Sequence, residues 1–179
     1  MKYLKVAFTL AILAIICGGL IALVNSITEP MIKEKNEKKE KETLNEIYPE
    51  CEYLVSDIIL TKDNEKYTGK YTIESKYLVK SEEETIGTIL KITGKNQFGV
   101  ITIIIGINSD KDIKDIKIVQ NTESYAQVIN DHFESNYENL QTYDDLQNVD
   151  IYCGATRGAE MLKGLVELAF MEIEESSIN

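Results

Sequence analysis

Hydrophobic and polar positions divide the chain into four stretches. Residues Val6 to Val24 carry no charge and are almost wholly apolar. That run is just long enough to cross a hydrocarbon core of about 30 Å, which predicts one transmembrane helix. A cleaved signal peptide is the alternative. It fits less well, because the run exceeds a usual signal core and no small-x-small cleavage site follows. Ile16 before Cys17 also suits a lipoprotein cleavage site poorly. Beyond the run, Thr28 is placed to cap a new helix, with Glu29 and Pro30 in its first turn. Lys33 to Glu46 is almost entirely Lys and Glu, the pattern of a solvated helical stalk held by pairs three or four residues apart. Leu44 and Ile47 give it a small apolar edge, and Pro49 ends it.

From Cys51 to Ile118 the pattern is mainly β. Tyr53-Leu54-Val55 and Ile58-Ile59-Leu60 are short apolar runs, with a turn at Lys62-Asp63-Asn64-Glu65. Tyr71 to Val79 reads as a partly exposed strand. Ile86 to Thr93 and Val100 to Ile107 are rich in β-branched residues and are the strongest strands. A turn over Gly94 to Gln97 separates them, and Ser109 to Asp112 forms the next, before a strand from Ile113 to Val119. Val100 to Ile107 is apolar on both faces, which predicts a central strand covered on both sides. Tyr125 to Leu140 is amphipathic and helical, with Val128, Ile129, Phe133 and Tyr137 on one side. Thr142 to Asp150 reads as an acidic loop. Met161, Leu162, Leu165, Val166, Ala169 and Ile173 then mark one face of a last helix, fraying from Glu172 onward. The fold class is α+β: an antiparallel-rich sheet packed with helices, preceded by a transmembrane helix and a charged stalk. The expected domains are an anchor over residues 1–27, a stalk over 28–49 and a globular domain over 50–179.

Charge and cysteine content narrow the chemistry. The net charge of −11 excludes nucleic acid as an expected partner, since phosphate backbones need a basic patch. Cys17, Cys51 and Cys153 lack the paired spacing of a zinc or iron–sulfur site, so no metal is expected. Cys51 and Cys153 can form a disulfide or remain free. His132 is the single histidine, with no partner motif beside it.

The chemistry concentrates in Asp150-Ile151-Tyr152-Cys153-Gly154-Ala155-Thr156-Arg157-Gly158. Gly154-Ala155 permits a tight turn. Thr156 falls at or beside the N-terminus of the last helix, where a hydroxyl can cap a free N–H. The same position attracts phosphate through unpaired N–H groups and the helix dipole. Arg157 can add charge-assisted bonds to such an anion. Unaided, the residues fit either an ordinary cap or a phosphate site.

The segment resembles the flavinylation motif of the FMN-binding domain family. That family includes the RnfG component of the Rnf electron-transport complex and the corresponding component of the sodium-pumping NADH:quinone reductase. Its pattern is Asp, two variable residues, Ser or Thr, Gly, Ala, Thr or Ser, one variable residue, then Thr or Ser. Asp150, Gly154, Ala155 and Thr156 match; Cys153 and Gly158 replace hydroxyl residues. The resemblance continues through Phe98 to Thr102, Gly106 to Asn108 and Ile113 to Ile118, and the apolar run ending Val24-Asn25-x-x-Thr28 is also similar. Where RnfG proteins carry Glu-Thr-Pro-Gly-Leu-Gly near the cofactor, this chain has Asn121-Thr122-Glu123-Ser124-Tyr125-Ala126 and shares only Glu123. Tyr125 offers an aromatic face, either packed or stacked on a flavin ring.

The resemblance implies FMN joined through its phosphate to Thr156 by a flavin transferase. It implies cofactor contacts at Cys153, Gly154, Ala155, Arg157, Asp150 and Glu123, and partners among other membrane subunits of an Rnf-type ion-translocating complex. The implied role is an electron carrier with no catalytic acid or base of its own. Two further functions stand beside it: a flavin-free membrane-anchored binding or assembly module, and a free-standing extracytoplasmic flavoprotein. Lysines flanking the apolar run favour a cytoplasmic domain by the positive-inside rule. The resemblance favours a single-pass cell-membrane protein with an extracytoplasmic domain, and that orientation is the expectation adopted.

Overall fold

A computed structural model describes residues 2–56, 60–63, 70–82 and 84–176. The chain forms two compact units, Met1–Lys41 and Glu42–Asn179. The first contains most of one long helix, α1 (Lys2–Ile47), and the last turn of α1 belongs to the second.

α1 passes through Thr28 and Pro30 without a break, where the pattern of residues predicts a fresh helix start. The Thr28 hydroxyl turns back to donate to the Val24 carbonyl at 2.7 Å, and Ser26 donates to Leu23 at 2.8 Å. Such back-bonding satisfies the hydroxyls within the helix, so neither acts as a cap. The Lys- and Glu-rich sequence beyond has high helix propensity and carries the helix past the proline. Among the described residues this is the one helix long and apolar enough to cross a membrane. Its apolar side chains, Ile15 and Ile21 among them, lie exposed within the unit, as a lipid-facing surface requires.

The second unit is built on a six-stranded antiparallel sheet. Its strands are β1 (Glu52–Ser56), β2 (Leu60–Asp63), β3 (Lys70–Ser81), β4 (Glu84–Lys95), β5 (Val100–Asn108) and β6 (Ile113–Asn121). The order is β1-β3-β4-β5-β6, and β2 pairs with β3 beyond β1. Residues 58–59 and 64–65, read above as strand and turn, lie outside the described residues. Lys62 and Asp63, read there as turn, belong to β2. Gly94 and Lys95 extend β4, so the turn into β5 occupies Asn96 to Gly99.

β3 departs from its expected partial exposure. Tyr71, Ile73, Tyr77 and Val79 are all buried, because the strand has neighbours on both sides. They also divide between the two faces. Ile73 pairs with Ile92 and Ser75 with Lys91, leaving Glu74 as an extra residue. This bulge shifts the alternation by one. Tyr71 and Ile73 therefore join the core under the helices, whereas Tyr77 and Val79 join the cluster on the opposite face.

Three helices follow: α2 (Ala126–Asn136), α3 (Tyr143–Gln147) and α4 (Thr156–Ser176). α4 lays Met161, Leu162, Leu165, Val166 and Ala169 into one core with Leu90, Ile92, Ile101, Ile103 and Ile105. Lys76, on the helix side of β3 after the bulge, pairs with Glu172 of α4 at 3.4 Å. Glu172 is thus inside the packed helix and not at a fraying end. α3 replaces part of the expected acidic loop. Thr142 accepts from the Asp145 N–H at 3.2 Å, and Asp145 accepts from the Thr142 N–H at 2.9 Å. This capping box makes a helix of five residues, too short to leave a periodic signal.

The opposite face of the sheet receives the last turn of α1. Leu44, Ile47 and Tyr48 pack with Tyr77, Val79, Ile89 and Ile104. Central strand β5 is therefore covered on both faces, as its composition predicts. Gly87 and Gly106 leave room for this approach: a Cβ on either would overlap Tyr48 or Ile47. The Tyr53 hydroxyl donates to the Leu44 and Tyr48 carbonyls, satisfying acceptors that the helix end leaves open. Cys51 packs with this cluster and Cys153 with the core under α4, and both are free thiols.

Candidate functional site

The motif lies at the start of α4. The Ala155 carbonyl accepts from the Gly158 and Ala159 N–H groups, each at 3.0 Å. Ala155 thus stands at the cap position and Thr156 is the first helical residue, one place inside it. The Thr156 side chain is half-buried, and its hydroxyl makes no hydrogen bond to another described residue. Gly154 has φ +91°, a left-handed backbone that glycine adopts freely, and open space where a Cβ would project. These features keep the approach to the helix N-terminus clear.

A cavity of about 190 Å³ opens here. It is lined by the run Gly154 to Gly158 together with Phe98, Glu123 and Tyr125. Of the expected site residues, the structure brings Glu123, Gly154, Ala155, Thr156 and Arg157 around one space. Tyr125 joins them with its ring 63% exposed, so it is a surface aromatic beside the site and not a core tyrosine.

Glu123 is buried, at 7% exposure. Its Oε1 accepts from Asn96 Nδ2 at 2.6 Å. The same Asn96 uses its Oδ1 to accept from the Phe98 and Gly99 N–H groups, at 2.7 and 3.1 Å. The Ser124 N–H donates to the Phe98 carbonyl at 3.2 Å, tying the two loops together. Gly99 belongs to this seam, since a Cβ there would press on the Thr122 carbonyl and the Glu123 backbone.

Asp150 and Cys153 do not line the cavity. Asp150 is exposed and accepts from the Tyr152 N–H at 3.0 Å, so its carboxylate shapes the loop entering the site. Cys153 packs against the core, and its N–H donates to the Ile151 carbonyl at 3.1 Å. Arg157 lines the cavity, and its side chain, 58% exposed, pairs with Glu160 at 3.0 Å.

Several residues that position the site carry no sequence signal. Lys163 is buried on α4, and its ammonium donates to the Gln147 and Val149 carbonyls at 3.1 and 2.9 Å. It thereby fixes the chain one residue before Asp150. Gly158 abuts Ile129 of α2, and a Cβ on it would overlap the isoleucine Cδ1. His132 lies near Asp150. Burial lowers its pKa below the usual 6.5, against the opposing effects of the Asp150 charge and backbone. Among the described residues no His, Cys, Asp and Glu cluster is placed to hold a metal ion.

The residues present fit a phosphate-bearing aromatic ligand. The helix N-terminus and its open glycine suit an anion. Thr156, whose hydroxyl has no hydrogen-bond partner among the described residues, lines the cavity, and Phe98 and Tyr125 add aromatic surface to it.

Comparison with known proteins finds a resemblance to RnfG proteins. The family model of the RnfG N-terminal region matches residues 2–47. The G component of the ion-translocating oxidoreductase complex of Erwinia tasmaniensis is 26% identical over 131 residues, covering 67% of this chain. The chain spans 58% of that relative's length. No solved structure matches. With its apolar N-terminal helix, the chain is a membrane-anchored protein that resembles the RnfG component of the Rnf complex.

Proposed function

We propose that this protein is a membrane-anchored electron carrier, bearing FMN on Thr156 and acting within an Rnf-type ion-translocating complex. The observation that carries the proposal is half-buried Thr156, whose hydroxyl makes no hydrogen bond to another described residue, at a helix N-terminus lining a cavity shared with Phe98, Tyr125 and Glu123. Resemblance to a component of an ion-translocating oxidoreductase complex supports the same reading.

Attachment by a flavin transferase joins Thr156 Oγ to the FMN phosphorus. The phosphoanhydride bond of a flavin dinucleotide donor breaks, the other half leaves as a nucleoside monophosphate, and the hydroxyl proton passes to a base on the transferase. When bound, the flavin supplies the electron-accepting and electron-donating chemistry. This chain supplies tethering and orientation. Backbone N–H groups of the first turn of α4 hold the phosphate. Arg157, in that turn, pairs with Glu160 at 3.0 Å and would add a charge-assisted bond to the phosphate. Phe98 and Tyr125 limit water at the ring. Residues 1–27 anchor the chain, the helix from residue 28 to Lys41 forms the stalk, and the unit from Glu42 onward carries the flavin outside the cytoplasm. Other membrane subunits supply the electron donor and acceptor.

The absence of a hydroxyl at position 158 is the feature that most favours a flavin-free binding module. Its packing against Ile129 supplies an independent reason for glycine there. The test is the intact mass of the chain co-expressed with a flavin transferase, beside Thr156→Ala. Added mass equal to FMN in the wild type and none in the variant is the expected result. An unmodified wild type, with a known substrate modified in parallel, overturns covalent attachment and moves the function to the binding-module reading.

A further inference from the structure

Two walls of the cavity, Phe98 and Glu123, come from different loops, and Asn96 touches both. Its Nδ2 donates to Glu123 Oε1 at 2.6 Å, while its Oδ1 accepts from the backbone N–H of Phe98 at 2.7 Å and of Gly99 at 3.1 Å. Asn96 also donates its own N–H to the Gly99 carbonyl at 3.1 Å, closing the turn on itself. One amide group therefore sets the turn carrying the aromatic wall and the direction of the buried carboxylate. We propose that Asn96 is the positioning residue of this site, holding Glu123 with one carboxylate oxygen engaged and the group turned toward the ligand's polar edge.

Chemistry favours an amide in this role. A neutral amide is donor and acceptor at once, and both functions are used here. A carboxylate keeps the acceptor and loses the donor. An apolar side chain loses both and leaves a buried carboxylate without its partner, which is costly. Glu123 also approaches Gly158 at the start of α4, its Cδ lying 3.6 Å from where a Cβ on that glycine would sit. The oriented glutamate defines an acceptor on the cavity wall, suited to an N–H donor such as the imide edge of a flavin. The identity of that ligand rests on the function proposed above; the positioning of Glu123 does not.

Polarity reversal tests the proposal. In Asn96→Asp the turn keeps its acceptor, but two carboxylates face each other. In Asn96→Asp combined with Glu123→Gln, the new amide donates to the new carboxylate and the bond re-forms in the opposite direction. Full-length wild type, single variant and double variant are compared in detergent after co-expression with a flavin transferase. Amide hydrogen exchange is read over residues 96–99 and 122–125, and visible circular dichroism is normalised to the FMN found by intact mass. The single variant is expected to exchange about fivefold to tenfold faster over 122–125, as loss of one hydrogen bond allows. Its 96–99 turn stays near wild type, and the double variant regains protection over 122–125 with 96–99 still near wild type. With FMN attached, the single variant loses at least half of the flavin dichroism and the double variant recovers most of it.

Unchanged exchange over 122–125 in the single variant overturns the positioning role, whether or not FMN is present. Altered exchange with unchanged dichroism on a flavinylated chain overturns the link to the ligand. Altered and rescued exchange with no FMN on the wild type upholds the positioning of Glu123 and overturns the covalent flavin instead.

Discussion

Gly158 of α4 and Ile129 of α2 are packed so closely that a methyl group on the glycine would overlap the isoleucine Cδ1. The two positions form a unit: the branched residue fills the space that a side chain at 158 would occupy. The departure from the motif at Gly158 thus has a packing cause at a residue far away in sequence. Gly158→Thr, which restores the usual hydroxyl, is expected to destabilise the protein by about 1–3 kcal/mol through overpacking. Ile129→Ala alone is expected to cost about 2–4 kcal/mol. The double variant should be more stable than the sum of the single effects predicts, by about 1–2 kcal/mol. Urea unfolding of all four forms measures the coupling, and strict additivity would refute it.

Lys163 offers a test of the loop that presents Thr156. Its ammonium holds the Gln147 and Val149 carbonyls from α4. Lys163→Met preserves length and removes the donors, leaving two carbonyls short of a partner. A loss of about 1–3 kcal/mol is expected. The initial rate of FMN attachment should fall with it, because the segment before Asp150 loses its anchor. Attachment at the wild-type rate in the folded variant would show that the clamp does not serve the motif.

On the opposite face of the sheet, Tyr48 donates to Asn108 Oδ1 at 2.7 Å while its ring lies in the space left by Gly87 and Gly106. Burial pushes its phenol up to about 12, and the nearby Cys51 adds to the shift. The folded state therefore keeps a proton that the unfolded state releases near pH 10. Stability from this group is complete below pH 10 and is lost as pH rises from 10 toward about 12. The loss is on the order of 2 kcal/mol. Tyr48→Phe should cost about 1 kcal/mol at neutral pH for the lost hydrogen bond and flatten the alkaline decline. Thermal unfolding from about pH 8 to 11 would expose the difference; parallel curves for the two proteins would exclude it.

His132 behaves in the reverse sense. Burial lowers its pKa, with the Asp150 charge and backbone opposing. Below the ordinary value of 6.5 the unfolded chain binds a proton that the folded chain resists. Stability is then present above pH 6.5 and declines as pH falls, until the lowered folded value is passed. His132→Gln should remove that component, so the wild-type minus variant Tm should shrink between about pH 7 and 5. A difference independent of pH would show that the histidine does not titrate in this window.

Much of this protein is legible from neighbours along the chain. The uncharged run over residues 6–24 declares a membrane-length helix, because lipid demands an unbroken apolar surface. The β-branched runs of β4 and β5 and the three-and-four spacing in α4 declare their elements, because alternation and helical period are short-range. Gly154-Ala155-Thr156 can be recognised at a helix start for the same reason.

What depends on residues distant in sequence was not legible in that way. The bulge at Glu74 sends Tyr77 and Val79 to the opposite face from Tyr71 and Ile73, and only pairing with β4 reveals it. The helix at Tyr143–Gln147 rests on a reciprocal cap and leaves no periodic trace. Asn96 meets Glu123, Lys163 meets the carbonyl of Val149, and Gly158 meets Ile129 only after the sheet and helices have packed. The order of residues marks the segment that carries the candidate hydroxyl. Folding sets what surrounds that hydroxyl, because hydrogen bonds and steric contacts depend on distance in space and not along the chain.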